Sequence, residues 1–157
     1  MNRAIFFDRD GVLNELVPRD GGYFSPQSKG QFVIIKNVNK IIKKLKNDGF
    51  ITIVVSNQPD VSRGLLSEHE LDKMTKKLFH ELIIDDIFYC IHDDADYCEC
   101  RKPKPGLIFQ AAKKWNIELQ ESYMIGDTWK DAEAAKNAKV EYFLLEKDYN
   151  YDYSENH

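Results

Sequence analysis

Acidic, hydroxyl and basic side chains lie directly after four separate apolar runs of this 157-residue chain. Asp8 and Asp10 follow the run RAIFF (3–7), and Ser56 follows the run FITIVV (50–55). In chain order the reactive set is Asp8, Asp10, Ser56, Arg101, Lys102 and Asp127. A carboxylate can attack phosphorus, and carboxylates combined with cations can bind Mg²⁺ and a phosphoryl group. These residue types in this order therefore predict phosphoryl transfer.

Each of these residues fits one task in such a reaction. Asp8 follows a strand that can aim its side chain, which suits a nucleophile that forms an aspartyl-phosphate. Asp10, two residues further on, can protonate the leaving oxygen and then activate water. Asp127 and Asp8, with a backbone carbonyl, offer the oxygen ligands that Mg²⁺ prefers, and Mg²⁺ lets an anionic nucleophile approach phosphate. Ser56 and Lys102 can hold the other phosphoryl oxygens.

Taken singly, each motif is weak. A pair of aspartates after a strand is more often a loop cap or an Asx turn. A single serine after a strand is usually a turn hydroxyl, and a single lysine is usually a solvated surface charge. The order of the motifs, each after a separate predicted strand, favours the functional interpretation.

All three cysteines of the chain lie in one short segment with a histidine. Cys90, His92, Cys98 and Cys100 have the spacing C-x-H-x5-C-x-C. Three sulfurs and one imidazole have the composition of a closed structural Zn²⁺ site, whose four ligands leave no open position for catalysis. The alternatives are a group of core cysteines and a catalytic cysteine. The polar segment argues against a core, and Asp8 already supplies a nucleophile.

Five short apolar segments alternate with four amphipathic ones, which predicts strands and helices in turn. The predicted strands are 3–7, 50–55, 86–91, 122–125 and 140–145. The predicted helices begin near Asn37, Ser67, Pro105 and Trp129. The strands are apolar without alternation, which is typical of a parallel sheet. We therefore expect a doubly wound, Rossmann-like α/β domain over residues 1–146, with helices on both faces and ligands at the strands' carboxyl ends. Residues 8–35 read as irregular, and 147–157 as a polar tail.

Composition narrows the class of protein. A net charge of −4 argues against nucleic-acid binding. No apolar run reaches the roughly 18–20 residues that span a bilayer, and the N-terminus lacks the features of a signal peptide. We therefore expect a cytoplasmic protein without membrane contact. Three cysteines in that compartment do not indicate a disulfide framework. A monomer acting on a small molecule is the expected form.

The motifs resemble those of the haloacid dehalogenase-like phosphatases. The matching segments are IFFDRDGV, IVVSNQ, Lys102 and IGDTWKD, and the resemblance extends from residue 3 to about residue 145. FFDRDGVLN, VVSNQPDVSRG, the cysteine segment with RKPKPG, and YMIGD are similar to a narrower branch. That branch contains the D-glycero-D-manno-heptose 1,7-bisphosphate 7-phosphatases and the histidinol-phosphate phosphatases.

This resemblance implies an Mg²⁺-dependent aspartyl-phosphate mechanism, a structural Zn²⁺ and no large cap domain. Asp8 would be nucleophile and Mg²⁺ ligand, Asp10 would be acid/base with its carbonyl on Mg²⁺, and Asp127 would be the third ligand. Arg101 would recognise the substrate. The remaining residues expected to line the substrate site are Asn57, Gln58, Thr128, Asp20, Gly21, Gly22 and Tyr23. The implied substrate is the C7 phosphate of the heptose bisphosphate, used in lipopolysaccharide or capsule biosynthesis; the alternative is histidinol phosphate or another small phosphomonoester.

The chain departs from the pattern of this branch by a longer stretch between DGVLN and GGY and by two substitutions. SNQPD stands where TNQSG is usual, so Asp60 adds an acid near the expected substrate site. Thr128 stands where a lysine is common, which removes a cation from the phosphate pocket. Both changes bear on the substrate more than on the reaction.

Three further residues each allow two interpretations. Asp131 is either a second acid that supports Asp127 or a favourable charge at a helix N-terminus. Arg63 is either part of a turn or a neighbour of the phosphate pocket. Trp129 is either a packing residue or a substrate contact.

Overall fold

The structure is a computed structural model that describes residues 1–145. The strands are β1 (Arg3–Phe7), β2 (Val17–Arg19), β3 (Gly22–Phe24), β4 (Phe50–Asn57), β5 (Asp86–Cys90), β6 (Tyr123–Gly126) and β7 (Glu141–Leu144). Five of them form one parallel sheet with the spatial order β5-β4-β1-β6-β7, and β2 and β3 form a separate antiparallel hairpin. The helices are α1 (Val38–Asn47), α2 (Glu68–Glu81), α3 (Gly106–Trp115) and α4 (Trp129–Asn137). The predicted doubly wound fold is confirmed.

Side chains of the central strand β1 alternate between two apolar cores, which explains why the strand sequences lack polar alternation. Ala4 and Phe6 belong to a core built with α3 and α4. Ile5 and Phe7 belong to a second core, built with α1 and α2. Helices therefore cover both faces of the sheet, and the strands are buried between them.

The carboxyl end of β1 is where the chain changes its direction of travel across the sheet. The strands β4 and β5 lie on one side of β1, and β6 and β7 lie on the other. Phe7 pairs with Val54 of β4 and with Ile125 of β6. Ligands of open α/β sheets bind at such switch points, so Asp8 begins the loop best placed to contact one.

Residues 8–35 are more regular than predicted, because β2 and β3 form a tight hairpin within them. Its two turn residues, Asp20 and Gly21, have φ angles of 46° and 78°. Two consecutive left-handed residues are the conformation of a type I′ turn, for which an Asp-Gly pair is a strong signal. The sequence contained that signal.

Strand and helix ends differ slightly from the predicted ones. Strand β4 continues to Asn57, so Ser56 and Asn57 pair with Tyr89 and Cys90 instead of beginning a loop. Asn37 precedes α1, but its side chain makes no capping hydrogen bond. Ser67, by contrast, accepts a hydrogen bond from the Glu70 N–H and so caps α2, the helix predicted to begin near it. No helix within the described residues is long and apolar enough to cross a bilayer. The predicted tail at 147–157 lies outside them.

Candidate active site

A small polar cavity lies at the carboxyl ends of the central strands. Its lining includes side chains from four separate segments, namely Asp8, Asp10, Asn57, Lys102, Thr128, Lys130 and Asp131. Asp8 and Asp10 come from the loop after β1, and Asn57 comes from the end of β4. The structure thus brings together residues that the sequence separates by more than a hundred positions.

The Asp8 carboxylate is buried and held in one orientation. Its Oδ1 accepts a hydrogen bond from Lys102 Nζ at 3.0 Å and another from the backbone N–H of Arg9 at 2.8 Å. Carboxylate oxygens of Asp8, Asp127 and Asp131 lie within 4.8 Å of one another. A nucleophile at Asp8 would therefore be aimed by fixed donors and surrounded by other acids.

Burial and the neighbouring acids raise the pKa of Asp8 well above its usual value. Burial is the largest cause, followed by the charge of Asp131. Lys102 opposes the shift, while Asp127 and Asp10 add to it. A divalent cation at this site would favour the ionised carboxylate. The donors are oxygens only, which is the set that suits Mg²⁺.

The ammonium group of Lys102 is the common partner of these loops. Its Nζ donates to Asp8 Oδ1 at 3.0 Å, to Asp131 Oδ1 at 2.6 Å and to the Val55 carbonyl oxygen at 2.9 Å. An ammonium has three protons, so each has an acceptor. Burial disfavours the charge, but Asp131 and Asp8 outweigh it and raise the pKa of Lys102. The lysine therefore remains a cation in a dry position.

Asn57 fixes the backbone of this lysine. The Lys102 N–H donates to Asn57 Oδ1 at 3.0 Å, and Asn57 Nδ2 donates to the Lys102 carbonyl oxygen at 3.0 Å. The side chain of Asn57 thus has a clear structural task, although the sequence placed it in the substrate site. Its contribution to substrate binding stays a prediction.

Asp131 combines the two interpretations that the sequence left open. Its Oδ1 pairs with Lys102, while its Oδ2 accepts from the Thr128 hydroxyl at 3.1 Å and from the N–H groups of Asp127 and Thr128 at 3.3 Å. It therefore closes the first turn of α4 and carries the counter-charge of Lys102. Asp131 was not among the site residues predicted from the sequence. The spacing of four residues from Asp127 was the available signal.

Two glycines let these loops come close. A Cβ on Gly126 would lie 2.5 Å from the Cβ of Asp131. A Cβ on Gly11, whose φ is 84°, would collide with the Asp127 carboxylate. Any side chain at either position would displace an acid of the site.

Asp10 is held by three side chains. Its Oδ1 accepts from Arg9 Nε at 2.9 Å and from Asn14 Nδ2 at 3.0 Å, and its Oδ2 accepts from Gln58 Nε2 at 2.8 Å. Gln58 also donates to Ser56 Oγ at 3.0 Å. Gln58, predicted to contact substrate, is buried and links the two residues predicted to act on the phosphoryl group.

The four zinc-ligand candidates converge on one point. Sγ of Cys90 lies 3.5 Å from Sγ of Cys98 and 2.9 Å from Sγ of Cys100. His92 Nδ1 lies 3.5 Å from Cys90 Sγ and 3.4 Å from Cys100 Sγ. Ligands around a tetrahedral Zn²⁺ are separated by about 3.5–3.8 Å. The donor types fit that ion and the other three distances lie close to this range, whereas the Cys90–Cys100 distance of 2.9 Å is shorter than a bound ion would set.

Cys98 connects this cluster to the basic residues that follow it. Burial opposes ionisation, but hydrogen bonds from the backbone N–H of Arg101 and from neighbouring groups lower the pKa of Cys98 to about 7. A thiolate is the form that binds zinc. The same contact places the Arg101 backbone beside the cluster.

A second cavity, of about 240 Å³, adjoins the first and shares Lys102 with it. Arg101 lies in its wall, and its Nε donates to Asp94 Oδ1 at 2.8 Å. Lys130, in the wall of the first cavity, is nearly buried. Burial and then the charge of Arg101 lower the pKa of Lys130, with smaller contributions from Arg63 and Lys102. This side of the site therefore holds Arg101, Lys102 and Lys130, with Asp93 and Asp94 also in the wall of the second cavity.

The other predicted substrate residues lie further out or are engaged elsewhere. The hairpin residues Asp20, Gly21, Gly22 and Tyr23 are absent from the lining of both cavities, so their predicted role has no direct support. Thr128 lines the first cavity, but its hydroxyl donates to Asp131.

Asp60 and Arg63 neutralise one another at the rim. Arg63 Nη1 lies 3.4 Å from Asp60 Oδ1, and Gln27 Nε2 donates to Asp60 Oδ2 at 3.2 Å. Arg63 also binds Asp93 of the cysteine loop, with Nε 2.6 Å from Oδ2. The extra acid at position 60 is therefore balanced by these contacts.

Comparison with known proteins agrees with this geometry. A family model described as haloacid dehalogenase-like hydrolase matches residues 27–139. The chain belongs to this family, which confirms the resemblance drawn from its motifs. The predicted enzyme class, a phosphomonoester hydrolase, is confirmed with it.

Particular relatives point to one branch. The chain is 39% identical to the D-glycero-β-D-manno-heptose-1,7-bisphosphate 7-phosphatase of Helicobacter pylori (strain ATCC 700392 / 26695), over 92% of this chain and 83% of that protein. It is 34% identical to the Escherichia coli K12 enzyme of the same name, over 87% of this chain and 76% of that protein. The structure also superposes on the D,D-heptose 1,7-bisphosphate phosphatase of B. bronchiseptica, which was solved with magnesium and phosphate. The TM-score is 0.80 and the identity 27%, over 90% of this chain and 79% of that protein.

The close contact between Gly126 and Asp131 generates a stability prediction. Gly126→Ala is expected to lower the free energy of unfolding by about 1–3 kcal/mol, because the new methyl group overpacks a buried site. Gly30→Ala is the matched control, since its Cβ would meet its nearest neighbour at 3.8 Å. Urea unfolding measures both, and equal stability of Gly126→Ala and wild type would contradict the described packing.

Proposed function

We propose that this chain is an Mg²⁺-dependent phosphatase that removes the C7 phosphate of D-glycero-D-manno-heptose 1,7-bisphosphate through an aspartyl-phosphate on Asp8. The observation that carries the proposal is the buried bridge of Lys102 between Asp8 and Asp131, beside Asp127 and Asp10. The names of the relatives from Helicobacter pylori and Escherichia coli support the choice of substrate.

The first half of the reaction transfers the phosphoryl group to the enzyme. Asp8 attacks phosphorus as the bond to the sugar oxygen breaks, and Asp10 gives a proton to that leaving oxygen. Ser56 would bind one of the transferred oxygens, and Lys102 would bind another in exchange for one of its three present acceptors. The carboxylates of Asp8 and Asp127 and the carbonyl of Asp10 would hold Mg²⁺, which would neutralise charge as anion meets anion.

The second half releases phosphate. Asp10, now ionised, takes a proton from water, and that water attacks the phosphorus of the aspartyl-phosphate. The bond to Asp8 breaks, and Asp8 and the protonated Asp10 return to their starting forms. Arg9 and Gln58 hold the Asp10 carboxylate in place, which suits a residue that acts as acid and then as base from one position.

The substrate's other phosphate would bind on the basic side of the site. Arg101 and Lys130 lie on that side, and each is at most 9% exposed. A second phosphate here would bind Lys130, whose charge Arg101 repels, and would contact Arg101 beside its partner Asp94. Binding energy from this group would hold the reacting phosphate in place.

Histidinol phosphate has less support. The sequence argument for this cationic substrate was the extra acid Asp60. That acid already contacts Arg63 and Gln27, so its charge is balanced without substrate.

The proposal includes a structural Zn²⁺ bound by Cys90, His92, Cys98 and Cys100. The convergence of their donor atoms supports it. A cytoplasmic location belongs to the proposal as well, because a reducing compartment keeps the thiols available as ligands.

A substrate panel tests the proposed activity. With Mg²⁺, we expect kcat/KM for the heptose 1,7-bisphosphate to exceed that for histidinol phosphate by at least about tenfold, which corresponds to one charge-assisted contact with the second phosphate. Lys130→Gln should raise KM for the bisphosphate about tenfold and change KM for the heptose 7-phosphate little.

Two variants serve as controls for the panel. Lys136→Gln removes an exposed lysine from the same helix and should leave both KM values unchanged. Asp8→Asn should release no phosphate from any substrate. A higher kcat/KM for histidinol phosphate would refute the substrate, and turnover by Asp8→Asn would refute the nucleophile.

Metal analysis tests the zinc site. Protein purified without chelator should contain about one zinc per chain, and Cys98→Ser should lose it and melt about 5 °C or more below wild type, since structural zinc contributes folding energy. Glu99→Ser changes an exposed residue of the same loop and should retain the metal. Zinc-free wild type, or zinc-replete Cys98→Ser, would count against the assignment.

A further inference from the structure

Arg9 lies between Asp8 and Asp10 in the sequence, yet its side chain is fully buried. A buried guanidinium is unfavourable unless it is paired and hydrogen-bonded. The mechanism above gives this cation no task. Its contacts show what it could do.

One edge of the Arg9 guanidinium faces the acid/base residue. Nε and Nη2 both lie 2.9 Å from Oδ1 of Asp10. Asn14 donates to the same oxygen, whereas Oδ2 accepts from the neutral amide of Gln58. The two oxygens of Asp10 thus have different partners: Oδ1 faces the Arg9 cation and Asn14, and Oδ2 faces the amide of Gln58.

The other edge of Arg9 is anchored to the fold. Nη1 donates to the Tyr89 hydroxyl at 3.3 Å, which lies 2.8 Å from Thr75 Oγ1. Thr75 donates its single proton to the Leu71 carbonyl at 2.9 Å, so the Tyr89 hydroxyl donates to Thr75. This directed chain ties Arg9 to α2 and β5.

Two aromatic rings enclose the guanidinium. Its central carbon lies 5.1 Å from the centroid of Phe32 and 5.6 Å from that of Tyr89. Such contacts favour a flat cation and restrict its rotation. Arg9 is thus held more firmly than pairing with Asp10 alone requires.

We propose that Arg9 is a positioning residue for the reaction: it fixes Oδ1 of Asp10 and so presents Oδ2 as the oxygen that exchanges the proton. The proton passes from Oδ2 to the leaving sugar oxygen, and later from water to Oδ2. This inference rests on the proposed function, because it takes Asp10 as the acid/base. It adds Arg9 as the residue that orients Asp10.

Leaving-group dependence tests the inference. Departure of a sugar alkoxide needs a proton, while departure of p-nitrophenolate does not. Arg9→Lys keeps the positive charge but loses the planar fork. We expect Arg9→Lys to lower kcat/KM for the heptose 1,7-bisphosphate at least about tenfold, because a misplaced acid loses part of its catalytic effect. For p-nitrophenyl phosphate, kcat/KM should change less than about threefold, since that ester needs no acid. Because kcat/KM covers the reaction only up to formation of the aspartyl-phosphate, the later hydrolysis of that intermediate does not affect the comparison.

Matched variants separate positioning from general damage. Arg3→Lys changes an arginine at the other end of β1, which also stacks on a ring, and should leave both values unchanged. Tyr89→Phe keeps a ring but removes the anchoring hydroxyl, so it should repeat the selective loss in smaller degree even if Arg9→Lys does not fold. In an Asp10→Asn background, Arg9→Lys should cause no further loss with the bisphosphate.

The outcomes are distinguishable. Equal losses for both esters, no loss for either, or an undiminished loss in the Asp10→Asn background would overturn the inference and leave the proposed function standing. A wild-type chain that hydrolyses neither ester would overturn the proposed function, and the inference with it.

Discussion

The site depends on one buried cation shared by acids from different loops. Lys102 binds Asp8 after β1 and Asp131 at the start of α4, and its third proton binds the Val55 carbonyl in β4. Asn57 fixes the lysine's backbone through two further hydrogen bonds. Breaking a buried ion pair by removing one partner commonly costs about 3–5 kcal/mol. The reactive carboxylate, the sheet edge and α4 are therefore held in one arrangement.

The two candidate metal sites would support this arrangement in different ways. The cysteine cluster ends at Cys100, and Lys102 lies two residues later. A fixed conformation of the cysteine loop therefore fixes the position from which the lysine side chain reaches the site. The hydrogen bond from the Arg101 backbone to Cys98 extends that order to the basic wall. The proposed Mg²⁺ would neutralise the remaining negative charge of the carboxylates. Zinc would thus contribute position, and magnesium would contribute charge.

The sequence predicted the sheet, the helices and the convergence of Asp8, Ser56, Lys102 and Asp127, because each motif follows a strand and parallel strands end at a common edge. It did not reveal the pairing of Asp131 with Lys102 or the clamp made by Asn57, since those contacts join residues 29 and 45 positions apart. Nor did it identify Arg9, whose residue type ordinarily lies on the surface. Periodicity indicates which elements form, but not which side chains meet.

The central claim is that Asp8 carries the phosphoryl group. A direct test is to quench wild-type enzyme during turnover of the heptose 1,7-bisphosphate with Mg²⁺, reduce with borohydride, and sequence the peptides by mass spectrometry. Borohydride converts an aspartyl-phosphate to homoserine, so the account predicts homoserine at position 8 and an unmodified aspartate at position 10. Homoserine at position 10, or at neither position while phosphate is released, would contradict the account.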